Sequence, residues 1–220
     1  MVWRRIRRST RPTAFIPMPR VPASWSSESC RSSPRTSTSM PRLFVALPVP
    51  EEIADELAAL QSGVPDARWQ TTENLHVTLC FCDEVQGAVM RDLEEELGDI
   101  AGPRFALTLA GVEQFSTGKQ PRALVALVEK NDRLDWLQQK VSTVARNCGI
   151  DIERRKFRPH VTLARFPAGA ETGHHIAQFM ASHGTFRAGP WVAEHFSLFS
   201  SRRGRDGPIY TAEANYALTF

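Results

Sequence analysis

Asn74-Leu-His-Val-Thr-Leu79 and Phe157-Arg-Pro-His-Val-Thr-Leu163 share the tetrapeptide His-Val-Thr-Leu, at positions 76–79 and 160–163. Each copy reads as a strand that turns Val and Leu to one face and His and Thr to the other. Working outward, Arg42-Leu-Phe-Val-Ala-Leu47 is echoed by Arg122-Ala-Leu-Val-Ala-Leu127, an offset of 80 against 84 for the tetrapeptides. Leu43–Leu47 is a short apolar run ended by Pro48 and Pro50, hence a buried strand. Ile53, Leu57 and Leu60 then sit at helical spacing in Glu51–Leu60, entered at Pro50 and left at Gly63. The second echo is followed by a helix from about Asp132 to Cys148, with Leu134, Leu137, Val141 and Val144 inward. Further helices are predicted over Ala88–Ile100 and near Glu171–Ser182. Strands are predicted over Asn74–Phe81, Phe105–Val112, Val192–Phe199 and Ile209–Thr219, the last two joined by the polar turn Ser201–Gly207. Strand, helix, motif strand and helix thus occur twice, which predicts an α+β chain of two similar lobes about an approximate two-fold axis.

The chain has 220 residues and a formal charge of +3, but the charge is unevenly placed. Residues 1–39 hold eight Arg, one acid (Glu28), nine Ser, four Thr and five Pro; the other 181 residues hold 19 basic and 23 acidic side chains. The first segment cannot bury enough surface to offset its ordering entropy, and is expected to be disordered. Its composition suits a transit peptide or an upstream extension, with Met40 the start of globular patterning and 40–220 the domain of two lobes. The longest uncharged apolar stretch, Leu43–Pro50, is far short of the ~20 residues that cross a bilayer, so no membrane association is expected. Cys30, Cys80, Cys82 and Cys148 make no disulfide framework, which points to free thiols in a reducing, cytoplasmic setting.

His76 and Thr78 share a strand face, about 6.5 Å apart along the chain, and so do His160 and Thr162. If the lobes pack about a two-fold axis, two imidazoles face each other with two hydroxyls between them. That arrangement suits in-line displacement at phosphorus, where attacking and leaving oxygens lie on opposite sides. One histidine takes a proton from water, the other gives one to the departing oxygen, and threonine hydroxyls donate to the non-bridging oxygens. No metal or other cofactor is needed. Packing alone would favour Val and Leu over paired polar residues on one face. A mononuclear zinc site needs a third ligand, and no H-x-H or H-x-x-x-H spacing occurs. His174, His175 and His183 are expected in solvent; His195 on a late strand is core or surface.

On these residues, with Phe157-Arg-Pro-His-Val-Thr-Leu-Ala-Arg165 the most specific stretch, the sequence from about Met40 to Phe220 resembles the 2H phosphoesterase superfamily. It most resembles the RNA 2′,3′-cyclic phosphodiesterase branch, also called 2′-5′ RNA ligases. The resemblance implies a bilobal fold of antiparallel sheet and helices around a central cleft. It implies metal-independent opening of RNA 2′,3′-cyclic phosphate to a 2′-phosphate, and in some members 2′-5′ joining. By motif match, His76 and His160 are the acid–base pair and Thr78, Thr162 and Arg165 the phosphate contacts. Strict alternation turns Arg165 away from His160 and Thr162 unless a bulge re-aims it. After the first motif the family usually has Arg-Phe-Leu-Gly, where this chain has Cys80-Phe81-Cys82-Asp83. The expected partners are RNA 3′ ends or small cyclic nucleotides, bound by a monomer. Another cyclic or 2′-5′ linked nucleotide is an alternative substrate, and a non-catalytic nucleotide-binding module an alternative role. Arg154-Arg155-Lys156 with Arg158, and Arg202-Arg203 with Arg205, are solvated loops or contacts for nucleotides beside the reacting end. Phe44 is a core residue or a base-stacking ring.

Overall fold

Two apolar strands per repeat, each needing a covered face, build one sheet. In a computed structural model that describes residues 41–153, 156–204 and 207–219, the elements run β1 (Arg42–Pro48), α1 (Glu51–Ala58), β2 (Arg68–Trp69), β3 (His76–Glu84) and α2 (Gly87–Gly98). They continue as β4 (Phe105–Thr117), β5 (Gln120–Val128), α3 (Asp132–Asn147), β6 (His160–Arg165), α4 (Gly173–His183), β7 (Arg187–Ala193), β8 (His195–Arg203) and β9 (Pro208–Ala217). The expectations for residues 1–39, Met40, Arg154, Arg155 and Arg205 lie outside the described residues. No helix among the described residues is long and apolar enough to cross a membrane.

The sheet order is β7-β4-β5-β6-β3-β1-β8-β9, with β2 added against β6 and every pairing antiparallel. The motif strands β3 and β6 meet at its centre, and β3-β1-β8-β9 on one side matches β6-β5-β4-β7 on the other. Each lobe therefore takes strands from both halves of the chain. Helices also cross over: α1, which follows β1, packs on β7, and α3, which follows β5, packs on β3. The apolar stripes of all four helices join Leu43, Val45, Leu47, Val77, Leu79, Leu124, Ala126, Val161 and Leu163 in one core.

Two expectations need correction. Val192–Phe199 is not one strand: β7 ends at Ala193, and β8 starts at His195 on the far side of the sheet. The inward side chains Trp191 and Ala193 are two apart but Phe196 comes three later, a phase slip that marks the break. The strand echo is also one residue out. Ala46 pairs with Thr78 and Val45 with Cys80, whereas Val125 pairs with Thr162 and Leu124 with Ala164. Structural equivalence thus runs at an offset of 79, and since strand faces alternate, the letter match at 80 sets inward residues against outward ones.

Candidate active site

Val77 opposes Val161 in the short antiparallel contact of β3 and β6. That register sets His76 beside Thr162 and Thr78 beside His160 across the sheet's centre. Val77, Leu79, Val161 and Leu163 are buried, while both His and both Thr are half-buried on the opposite face. Among the described residues, neither Thr78 nor Thr162 spends its hydroxyl on a hydrogen bond within the protein.

Each imidazole is held in the same way. His76 Nδ1 lies 2.7 Å from the Asn74 carbonyl oxygen, and His160 Nδ1 lies 2.7 Å from that of Arg158. A carbonyl only accepts, so Nδ1 carries the hydrogen in both rings and each Nε2 is the atom left to take or give a proton. Phe199 stacks near His76 at 6.3 Å and Phe115 meets His160 edge-on at 4.7 Å; both pair with the strand inside them at equivalent places.

Bulges in β3 and β6 re-aim the residue that follows. Thr162 and Ala164 pair with successive residues of β5, so Leu163 is extra, and Leu163 and Ala164 are both buried. Arg165 consequently emerges on the histidine face, where its charge bears on His76, His160 and Tyr210. The equivalent bulge in β3 brings out Phe81, 62% exposed. Phe44 is 3% exposed, ringed by His76, Phe81, Phe199 and Tyr210, so it is a core residue and the exposed ring is Phe81.

The surroundings break the two-fold symmetry. Burial, reinforced by the Arg165 and His160 charges and opposed by the Asn74 carbonyl, pulls the His76 pKa down to about 4. Burial lowers His160 too, with Arg165 and Arg158 acting the same way and the Arg158 carbonyl and Glu113 opposing. Arg158 is no free loop cation: it pairs with Glu113 at 2.6 Å and lies over the Phe115 ring. These shifts set an acid response. The unfolded chain protonates His76 near pH 6.5 and the folded one only near 4, so stability is complete above about 6.5 and falls as pH drops through that window, by roughly 3 kcal/mol. Chemical unfolding at the two ends of the window should show a smaller acid loss for His76→Asn than for the parent; equal losses would refute it.

A cavity of about 1400 Å³ is bounded by Asn74 and Arg165 and walled by Arg42, Arg68, Arg202 and Arg203. Neither imidazole lines it, and Arg165, whose charge bears on both histidines, joins it to their face. Arg68 and the cavity itself were not apparent from sequence, because β2 is two residues long and has no periodicity. His174 and His175 are exposed, whereas His183 is half-buried against Phe179, its Nδ1 donating to that residue's carbonyl. His195 is half-buried at the start of β8. Among the described residues no three His, Cys, Asp or Glu are grouped to hold a metal ion.

A family model described as LigT-like phosphoesterase matches the chain twice, over residues 47–125 and 125–210, one match per repeat. The RNA 2′,3′-cyclic phosphodiesterase of Bacillus subtilis is 30% identical over 166 residues, covering 72% of this chain and 87% of its own. That of Aeropyrum pernix is 31% identical, covering 68% and 84%. Apo Escherichia coli LigT superposes with a TM-score of 0.65 at 28% identity, covering 83% of this chain and 100% of its own; LigT has also been crystallised with 3′-AMP. With its sheet, its duplicated motif strands and both repeats matched, this chain belongs to the LigT-like phosphoesterase family.

Proposed function

We propose that this chain is a metal-independent phosphodiesterase that opens RNA 2′,3′-cyclic phosphate ends to 2′-phosphomonoesters. His76 and His160 are the proton carriers, each through Nε2. One takes a proton from water as the new P–O bond forms, and the other protonates O3′ as the P–O3′ bond breaks, leaving a 3′-hydroxyl and a 2′-phosphate. The Thr78 and Thr162 hydroxyls donate to the non-bridging oxygens, and Arg165 offsets their charge. Both histidines are neutral in the free protein near pH 7, so the anionic substrate itself favours return of a proton to the one that serves as acid. With a ribose 5′-hydroxyl in place of water, the same step yields a 2′-5′ linkage.

The observation that carries this reading is the matched pair of Nδ1-to-carbonyl contacts, which frees two Nε2 atoms across two unpaired hydroxyls. The names of the Bacillus and Aeropyrum relatives support it. We take residues 40–220 as the catalytic domain, acting as a monomer on RNA 3′ ends; free thiols at Cys80, Cys82 and Cys148 fit a cytoplasmic setting. Incubating the full chain and EDTA with an oligoribonucleotide ending in 2′,3′-cyclic phosphate, followed by phosphorus NMR, should show a 2′-phosphomonoester. A 3′-phosphate product, or activity abolished by EDTA and restored by metal, would overturn it.

A further inference from the structure

Building on that reading, we propose that Arg68, with Arg202 and Arg203 across the cavity, forms a second anion subsite for the RNA phosphodiester next to the reacting phosphate. The preferred substrate is then an RNA end of two or more nucleotides, not a cyclic mononucleotide.

The argument begins at β2. Its two residues add to the edge of β6 with Arg68 directly opposite Arg165. Like charges facing each other across a strand pair destabilise it. Neither guanidinium has a carboxylate partner among the described residues, and Arg202 and Arg203 have none either. Arg42, on the same cavity, is paired with Asp83 and Glu84, and away from it Arg104 pairs with Glu194, Arg158 with Glu113 and Arg187 with Glu129. Arg91, Arg122, Arg133 and Arg146 are unpaired among the described residues but do not line the cavity. Four uncompensated arginines therefore converge on one cavity in a region whose sequence, from residue 40 on, has more acids than bases. Planar, always-charged guanidiniums that lack protein counter-ions are suited to phosphate, which supplies the missing charge.

Position and size decide which phosphate. Arg165 touches both the histidines' field and the cavity, so it marks the junction between the reacting phosphate and the groove. Arg68 stands one strand further out, at the spacing of neighbouring groups along a chain. At about 1400 Å³ the cavity exceeds the roughly 300–1,000 Å³ that suits one drug-sized ligand. Ile209, 60% exposed on its wall, gives a base or ribose an apolar surface.

The test compares the full chain on adenosine 2′,3′-cyclic phosphate and on the di- and trinucleotides that end in it. Charge-assisted contacts to the added phosphate should raise kcat/KM about ten- to a hundredfold for the longer substrates. Arg68→Gln, and the Arg202→Gln/Arg203→Gln pair, should collapse that ratio toward one and flatten its salt dependence. A ratio near one in the parent, or one that survives Arg68→Gln, overturns the subsite. Direct binding to His76→Asn protein separates this from the catalytic reading. There a trinucleotide 2′-phosphate should bind more tightly than adenosine 2′-phosphate, with dependence on Arg68, even if no substrate turns over. Arg68-dependent binding of ATP without any trinucleotide preference would also overturn the proposal.

Discussion

Replacing His76 or His160 by asparagine should lower kcat on a 2′,3′-cyclic phosphate end by about 10² to 10⁴, the usual value of one positioned proton transfer. Asparagine is the informative choice. Its side-chain amide can donate near where Nδ1 does, to the carbonyl of Asn74 or Arg158, but nothing replaces Nε2. Fold and ring-site geometry are kept while the proton carrier is lost. Because acid and base act in one displacement, the double variant should be little slower than either single one. In the parent, kcat/KM should be bell-shaped in pH, and each variant should lose one limb. Retention of activity within tenfold of the parent by either variant, with an unchanged melting curve, would remove that histidine from the mechanism.

Thr78→Val and Thr162→Val should each cost about 10² to 10³ in kcat, the loss typical of one fixed donor to a charge that grows in the transition state. Valine preserves the branched shape on a strand, and no protein hydrogen bond of either hydroxyl is lost among the described residues. Stability should hardly change. The loss should fall on kcat more than on KM, since the donors act most strongly when the phosphoryl oxygens carry extra charge. Thr→Ser at the same positions should restore most of the rate. A pure KM effect would make these residues substrate-binding groups without a part in the chemical step.

Most of this architecture is legible in the letters because it rests on short-range periodicity. Leu75, Val77 and Leu79 against His76 and Thr78 identify both the strand and its faces, and Leu134, Leu137 and Val141 identify α3. Duplication of the tetrapeptide then points to paired sites. What strand alternation alone left open or missed lies where period two is interrupted. The bulge at Leu163 decides that Arg165 joins the histidine face, and the break after Ala193 sends β8 across the sheet. The one-residue error in the strand echo has the same origin, since apolar strand letters repeat easily while hydrogen-bond register does not.

The sequence by itself determined the two motif strands, their polar face, the pairing of His76 with Thr78 and of His160 with Thr162, and the absence of any general basic character outside residues 1–39. Tertiary structure alone decided that the motif strands meet at Val77 and Val161, that backbone carbonyls lock both Nδ1 atoms, and that His76 sits in an aromatic enclosure while His160 sits beside an ion pair. It also gathered Arg68, Arg165, Arg202 and Arg203, far apart in the chain, around one cavity. The division has a physical reason. Face and helix periodicity are set by local backbone geometry, whereas register, bulges and the convergence of distant charges depend on hydrogen bonds and packing between segments that no local pattern encodes.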